Sequence, residues 1–132
     1  MPNKIDHIGI AVPNLDAAAS AYKDLKFHFD HIETVEEQKV RVAFFHCGES
    51  HIELLEPTAE DSPIAKYIAK KGGGIHHLCV EVDNLEEALQ EYAEKGVRLI
   101  NEKPVIGAGG CRVAFVHPKS THGVLLELKE KE

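Results

Sequence analysis

The chain carries one pattern twice, and this internal repeat restricts the folds open to it more than any other feature. The segment DHIGIAVPNL at residues 6–15 returns as HHLCVEVDNL at residues 76–85, offset by 70 positions. The segment RVAF at residues 41–44 returns unchanged at residues 112–115, offset by 71. A repeat of this kind gives both halves the same order of elements, because each copy has the same apolar positions to bury. The sequence therefore predicts two similar modules within one domain, residues 1–132.

Alternating apolar residues, turn residues and helix caps predict the elements of each module. In the first half we expect a helix from Asn14 or Asp16 to Leu25, and strands over residues 5–12, 27–35, 40–47 and 51–55. In the second half we expect a helix that Asp83 or Asn84 opens and Gly96 ends, and strands over residues 75–82, 97–101, 112–117 and 124–128. A short helix over residues 64–70 and a Gly72–Gly74 joint separate the copies. This order predicts an α+β fold of two tandem βαβββ modules, about residues 4–71 and 75–130.

Composition and charge argue against several classes of function. The formal net charge of −7 at pH 7 disfavours a nucleic-acid partner, because binding to a phosphate backbone needs a basic face. An anionic small substrate stays compatible with this charge, since a local cluster of cations overrides the mean field. No segment is long and apolar enough to cross a membrane, and the first strand begins too early for a signal peptide. Cys47, Cys79 and Cys111 show no close pairing, which indicates reduced thiols. We therefore expect a cytoplasmic protein with no nucleic-acid or membrane partner.

Four potential metal ligands stand at matching places in the two copies. His7 matches His77 at an offset of 70, and Glu53 matches Glu127 at an offset of 74. Taken singly, a histidine at the start of a strand or a glutamate within one is more often structural or exposed. Their recurrence in both halves favours a divalent metal site. Imidazole and carboxylate ligands suit Co²⁺, Ni²⁺, Mn²⁺, Fe²⁺ or Zn²⁺, and four protein ligands leave open positions on an octahedral ion for a chelating substrate.

With these ligands, the paired modules resemble the vicinal oxygen chelate superfamily, which includes glyoxalase I, extradiol dioxygenases and bleomycin-resistance proteins. Within it, blocks along essentially the whole chain are similar to the methylmalonyl-CoA epimerase family. The ligand quartet indicates only the superfamily. The more specific blocks are DSPIA at residues 61–65 and HPKSTHGVLLEL at residues 117–128. Further matching blocks are DHIGIAV at residues 6–12, EEQKV at 36–40, IELLEP at 52–57, GIHHL at 74–78 and IGAGG at 106–110.

The resemblance implies an isomerase that epimerises (2R)- and (2S)-methylmalonyl-CoA. It implies one divalent metal ion, with Co²⁺ expected first and Mn²⁺, Ni²⁺ or Zn²⁺ as alternatives. The metal ligands that it implies are His7, Glu53, His77 and Glu127. The α-proton is then abstracted, the enolate is stabilised by the metal, and a proton returns to the opposite face. The implied partners are a small acyl-CoA substrate and a second copy of the chain in a homodimer.

Glu37 and Glu127 are the two acid–base groups that the resemblance implies. Glu37 lies in an acidic stretch that would ordinarily be interpreted as a solvated surface, and Glu36 is the alternative if the register differs by one residue. Glu127 is also an implied ligand, and a carboxylate bound to a cation is a weak base. It therefore acts either as a ligand alone or through its second oxygen. Some epimerases of the family carry glutamine in the place of Glu53.

Two other functions are consistent with parts of this pattern. A glyoxalase I-type isomerase, which acts on the adduct of methylglyoxal and glutathione, uses an equivalent ligand set and similar enolate chemistry. The EQKV and DSPIA blocks resemble the epimerase and not the glyoxalase. A metal-free binding module is the second alternative, and the four filled ligand positions argue against it.

Overall fold

The computed structural model describes residues 2–132 and divides the chain into two compact units. The first unit comprises residues 7–76, and the second comprises residues 77–132 with the residues before His7. Each unit corresponds to one sequence repeat, except at two strands. β1 (Pro2–Ala11) begins in the second unit and continues in the first, and residues 74–76, which open the second repeat, lie in the first unit. The predicted α+β class with two βαβββ modules is confirmed. Within residues 2–132, no helix has the length and apolarity needed to cross a membrane.

The first unit contains a mixed sheet whose strands lie in the order β2-β3-β4-β1. After β1 come α1 (Leu15–Asp24), β2 (His28–Val35), β3 (Val40–Cys47), β4 (Ser50–Pro57) and α2 (Pro63–Lys71). The hairpins β2–β3 and β3–β4 are antiparallel, as short turns require. β1 and β4 instead pair in parallel, because β4 reaches β1 only after the crossover through α1, β2 and β3. The register of this parallel pair determines which residues of β1 lie beside which residues of β4.

The second unit repeats this topology in the order β5-β8-β7-β6. Its elements are β5 (Gly74–Val82), α3 (Leu85–Glu94), β6 (Val105–Ile106), β7 (Arg112–Val116) and β8 (Leu126–Glu130), with β5 and β8 parallel. The strand predicted over residues 97–101 is wrong: only an isolated bridge joins Leu99 to Val116. The Asn101 side-chain oxygen accepts the Phe115 amide at 2.8 Å and so replaces a backbone partner in the ladder.

Each unit buries one face of its sheet under the helix that follows its first strand. In the first unit, α1 contributes Leu15 and Ala19 to a core with Ala43, Phe45 and Leu54. In the second unit, α3 forms the corresponding core, made of Val82, Leu85, Ala88, Leu89, Ala114, Val116 and Leu128. The first unit has a further core on the opposite sheet face, where α2 places Ile64 against Ala11, Val40, Val42 and Leu55. α2 therefore covers one end of the sheet face opposite α1.

Several repeated polar residues serve the fold by holding the start of a helix. Asn14 caps α1 and Asn84 caps α3, each accepting an amide of the first turn at 3.0 Å. Glu56 accepts the Leu15 amide at 2.8 Å and the Arg41 guanidinium at 3.0 Å. The same arrangement recurs in the second unit, where Glu130 accepts the Leu85 amide and the Arg112 guanidinium, each at 2.9 Å. An acidic side chain at the positive end of each helix thus explains these repeated residues.

We predict that Glu56→Ala lowers the free energy of unfolding by about 2 kcal/mol, because it leaves the Leu15 amide and Arg41 without their charged acceptor. Urea denaturation followed by circular dichroism measures this loss. Glu102→Ala, at an exposed glutamate outside this arrangement, is the control and should change stability by less than about 0.5 kcal/mol. Equal stability of the two variants would contradict the helix-holding role.

Candidate functional site

The candidate ligands of the first unit lie on the sheet face opposite α1. Residues paired across neighbouring strands point to the same face. One such row, under α2, is apolar and consists of Ala11, Leu55 and Val42. The next row along the strands consists of Gly9, Glu53 and Phe44. A carboxylate therefore stands next to glycine and phenylalanine on a face whose adjacent row is fully buried.

His7 and Glu53 meet on this face. His7 lies two residues before Gly9, so its side chain shares the face of Glu53 on the adjacent parallel strand. The His7 Nδ1 atom lies 3.1 Å from Glu53 Oε2. Both residues are buried, with 5% and 7% of their surface exposed. The first unit thus brings one predicted histidine ligand to one predicted carboxylate ligand.

His77 and Glu127 form the equivalent contact in the second unit. His77 lies two residues before Cys79, which is the register partner of Glu127. The His77 Nε2 atom lies 3.1 Å from Glu127 Oε1, and both residues are buried. Phe115, which pairs with Glu127, presents its ring to His77 in an edge geometry at 5.9 Å. Strand register, separation and burial are therefore the same in the two units.

The chemistry and spacing of both pairs fit a divalent ion. Two ligand atoms bound to one ion at right angles, each at about 2.1 Å, lie about 3 Å apart. Each histidine–glutamate pair shows a separation of 3.1 Å. Burying a carboxylate has a high desolvation cost, which a coordinated cation offsets. Imidazole combined with carboxylate is a donor set for borderline divalent metals.

Glu37 lies elsewhere in the first unit, on an exposed 3₁₀ turn over Glu36–Gln38. Within residues 2–132, Glu37 makes no hydrogen bond or ion pair, so it has no polar contact with His7 or Glu53 of its own unit. Glu36 is also exposed on the same turn. The turn presents two adjacent carboxylates to solvent.

Lys39 anchors this turn to the start of α2. Lys39 has a left-handed backbone with φ 55°, and its carbonyl accepts the Thr58 amide at 2.9 Å. Its ammonium group donates to Asp61, the first residue of the DSPIA block. The hydrogen bond from Lys39 holds the pKa of the Asp61 carboxyl below its ordinary value. The EEQKV and DSPIA blocks are thus connected through Lys39 and Asp61.

The second unit has a corresponding turn that contains no acidic residue. A 3₁₀ turn over Ala108–Gly110 precedes β7 as the Glu36–Gln38 turn precedes β3. At an offset of 71 positions, Ala108 stands in the place of Glu37, and Gly110, with φ 75°, in the place of Lys39. Glu37 therefore has no counterpart in the repeat, and comparison of the two halves does not find it.

Sequence analysis missed a row of histidines beside the His7–Glu53 pair. His28 pairs with His46 across β2 and β3, His46 with His51 across β3 and β4, and His51 with His7 across β4 and β1. His46 and His51 flank the tight turn between β3 and β4, so hairpin register is the signal that would have aligned them. His28 lies on β2, and the register of β2 shifts between Phe29 and His31. This shift is not visible in the sequence.

Comparison with known proteins places this geometry in a family. A family model described as the Glyoxalase/Bleomycin resistance protein/Dioxygenase superfamily matches residues 6–115. An uncharacterised protein of Bacillus subtilis is 47% identical over 129 residues, which cover 97% of this chain and 92% of that protein. The mitochondrial methylmalonyl-CoA epimerase of Homo sapiens is 42% identical over 129 residues, covering 96% of this chain and 73% of the human protein.

A solved structure matches the architecture over nearly the full length. It is a variant of Streptomyces coelicolor methylmalonyl-CoA epimerase in complex with 2-nitronate-propionyl-CoA, with a TM-score of 0.93 and 39% sequence identity. The match covers 99% of this chain and 96% of that chain. The matched residues therefore include those of both units.

We predict that Asp61→Asn loosens the turn that carries Glu37. Without the ion pair to Lys39, the Lys39 and Thr58 amides should exchange with solvent about fivefold faster, because the turn opens more often. The increase is modest because an exposed ion pair adds little to the stability of the turn. Hydrogen exchange followed by NMR measures both amides. Glu60→Gln, next to Asp61 and exposed, is the matched control and should leave both rates unchanged. Unchanged rates in Asp61→Asn would show that the ion pair does not hold the turn.

Proposed function

Since this chain belongs to the Glyoxalase/Bleomycin resistance protein/Dioxygenase superfamily and, within it, to the methylmalonyl-CoA epimerase family, we propose that it interconverts (2R)- and (2S)-methylmalonyl-CoA with the help of one divalent metal ion. The observation that carries this proposal is the full-length similarity to methylmalonyl-CoA epimerases, and the repeated histidine–glutamate pair, buried and spaced at 3.1 Å in both units, supports the metal ion. His7, Glu53, His77 and Glu127 together would hold the ion. We propose Co²⁺ as the first candidate. Mn²⁺, Ni²⁺ and Zn²⁺ are the alternatives, because imidazole and carboxylate ligands suit these ions as well.

A divalent ion held by these four residues would supply Lewis-acid polarisation of the thioester carbonyl, which would acidify the α-proton. Glu37 acts as the base: its carboxylate takes the α-proton, and the electron pair of the C–H bond moves into the enolate. The proposal is supported by the exposure of Glu37 on a turn that Lys39 and Asp61 anchor. An unengaged carboxylate at the end of an anchored turn is available to an approaching substrate.

Glu127 returns a proton to the opposite face of the planar enolate and so inverts the stereocentre. Epimerisation in both directions requires one group on each face, each of which is the base in one direction and the acid in the other. Oε1 of Glu127 lies near His77, so we assign the proton to Oε2. Between turnovers, exchange with water restores the protonation states of Glu37 and Glu127.

We further propose that the two units form a single domain and that the enzyme acts as a cytoplasmic homodimer on an acyl-CoA substrate. One family model spans parts of both units, which supports the single domain. Cys47, Cys79 and Cys111 form no disulfide, which is consistent with a reducing compartment. Exposed Leu25 and Ile75 offer apolar surface for a contact between copies.

We predict that the metal-loaded protein incorporates deuterium at the α-carbon of methylmalonyl-CoA in heavy water and racemises it. Glu37→Gln should slow the exchange of one enantiomer by about 100-fold, because it removes a general base while keeping the shape of the side chain. Glu36→Gln is the matched control on the same turn and should retain exchange. Proton NMR of the α-methyl signal follows deuterium, and chiral analysis follows configuration.

Two results would overturn parts of this proposal. Loss of exchange in Glu36→Gln with retention in Glu37→Gln would move the base by one residue. Absence of exchange in the unsubstituted protein, together with turnover of the methylglyoxal–glutathione adduct, would replace the epimerase with a glyoxalase I-type isomerase.

A further inference from the structure

We propose that the histidine row of the first unit, His28, His46 and His51, forms with Asp30 a second binding site for a borderline divalent metal ion, open to solvent. All four residues belong to the first unit. The row lies on the same sheet face as Glu53, at the end away from α2. Binding at this site does not depend on the proposed epimerase activity.

The spacing of each neighbouring pair of rings is compatible with two imidazoles that share one ion. Side chains directly opposite each other on paired strands have Cβ atoms about 5 Å apart, which lets two histidines reach one ion. When each ring nitrogen lies about 2.1 Å from the ion, the ring centroids are about 5–6 Å apart. The observed centroid separations are 4.8 Å between His46 and His51 and 5.7 Å between His28 and His46.

Asp30 adds an oxygen ligand to the row. The register of β2 shifts between Phe29 and His31, and such a bulge re-aims the side chain at its centre. Asp30 Oδ1 lies 3.5 Å from His46 Nε2, close to the roughly 3.4 Å between two atoms bound to one tetrahedral ion. The other carboxylate oxygen of Asp30 lies 2.8 Å from His31 Nδ1. His31 therefore orients the carboxylate, as residues behind a metal ligand commonly do.

The charges around the row favour a cation over an anion. Asp30 and Glu33 both lie beside His31, at 2.8 Å and 3.5 Å, and would repel a phosphate. The chain as a whole has a formal net charge of −7 at pH 7. The side chains of His46 and Asp30 are 46% and 44% exposed, so their rotation toward an ion meets little steric resistance. Imidazoles with one carboxylate suit Co²⁺, Ni²⁺, Cu²⁺ and Zn²⁺.

The second unit indicates that the fold itself does not need this row. Leu125 stands at the place of His51, at an offset of 74 positions. His117 stands at the place of His46, at an offset of 71, and its Nδ1 accepts the Lys119 amide at 3.0 Å. The same topology therefore forms with leucine in the row and with a histidine used for a turn. Packing within the repeat therefore does not account for His46 and His51 of the first unit.

The row continues in register to His7, because His51 pairs with His7 across β4 and β1. An ion held at His46 and His51 is thus one strand away from a ligand of the buried pair.

Equilibrium dialysis of the full chain against Co²⁺ tests the site. The double variant His46→Asn/His51→Asn should bind one ion per chain fewer than the unsubstituted protein. The control His122→Asn, at an exposed histidine of the second unit, should lose none. His77→Asn separates the two proposals, since it removes a ligand of the buried site and leaves the row intact. Circular dichroism confirms that each variant is folded.

A second measurement locates the ion without any substitution. Titration with Zn²⁺, followed by NMR of the imidazole nitrogens, should shift the signals of His28, His46 and His51. Equal cobalt binding by the double variant and the unsubstituted protein, or unshifted signals of these three rings, would overturn the proposal. If His77→Asn loses no ion while the double variant loses one, the row stands and the metal dependence of the proposed function fails.

Discussion

The parallel pairing of the first and last strands of each unit is the constraint on which the rest of the structure depends. His7 meets Glu53 and His77 meets Glu127 although the partners are 46 and 50 positions apart in sequence. Only the crossover through a helix and a hairpin brings the first and last strands of each module together in parallel. The long connection has an entropic cost, and the apolar cores beneath α1 and α3 offset it.

Repetition alone does not distinguish residues that serve the fold from residues that serve a site. Asn14 with Asn84 and Glu56 with Glu130 recur because each holds the start of a helix. The glutamates of the buried pairs also recur, although they do not hold the start of a helix. Their carboxylates lie on a buried sheet face, where a charge is costly unless a ligand or partner compensates it. Local surroundings, rather than recurrence, separate the two groups.

Local signals predicted most of the fold. The strand over residues 40–47 was predicted with the bounds that it has, and caps at Asn14 and Asn84 begin the two longer helices. The strand over residues 97–101 was wrong, because the Asn101 side chain takes a ladder hydrogen bond that sequence patterns do not reveal. The histidine row was not predicted for a related reason: it depends on the register of three strands, which is a long-range property. The candidate ligands kept in both repeats are predicted from the sequence, whereas Glu37 is proposed only through the family resemblance.

The central proposal is that the two histidine–glutamate pairs bind one metal ion jointly. Anomalous X-ray diffraction at the cobalt edge, on crystals of the Co²⁺-loaded His46→Asn/His51→Asn variant, tests it most directly. The account predicts a single cobalt position within bonding distance of His7, Glu53, His77 and Glu127. Two separate cobalt positions, one on each pair, or cobalt on one pair alone, would contradict it.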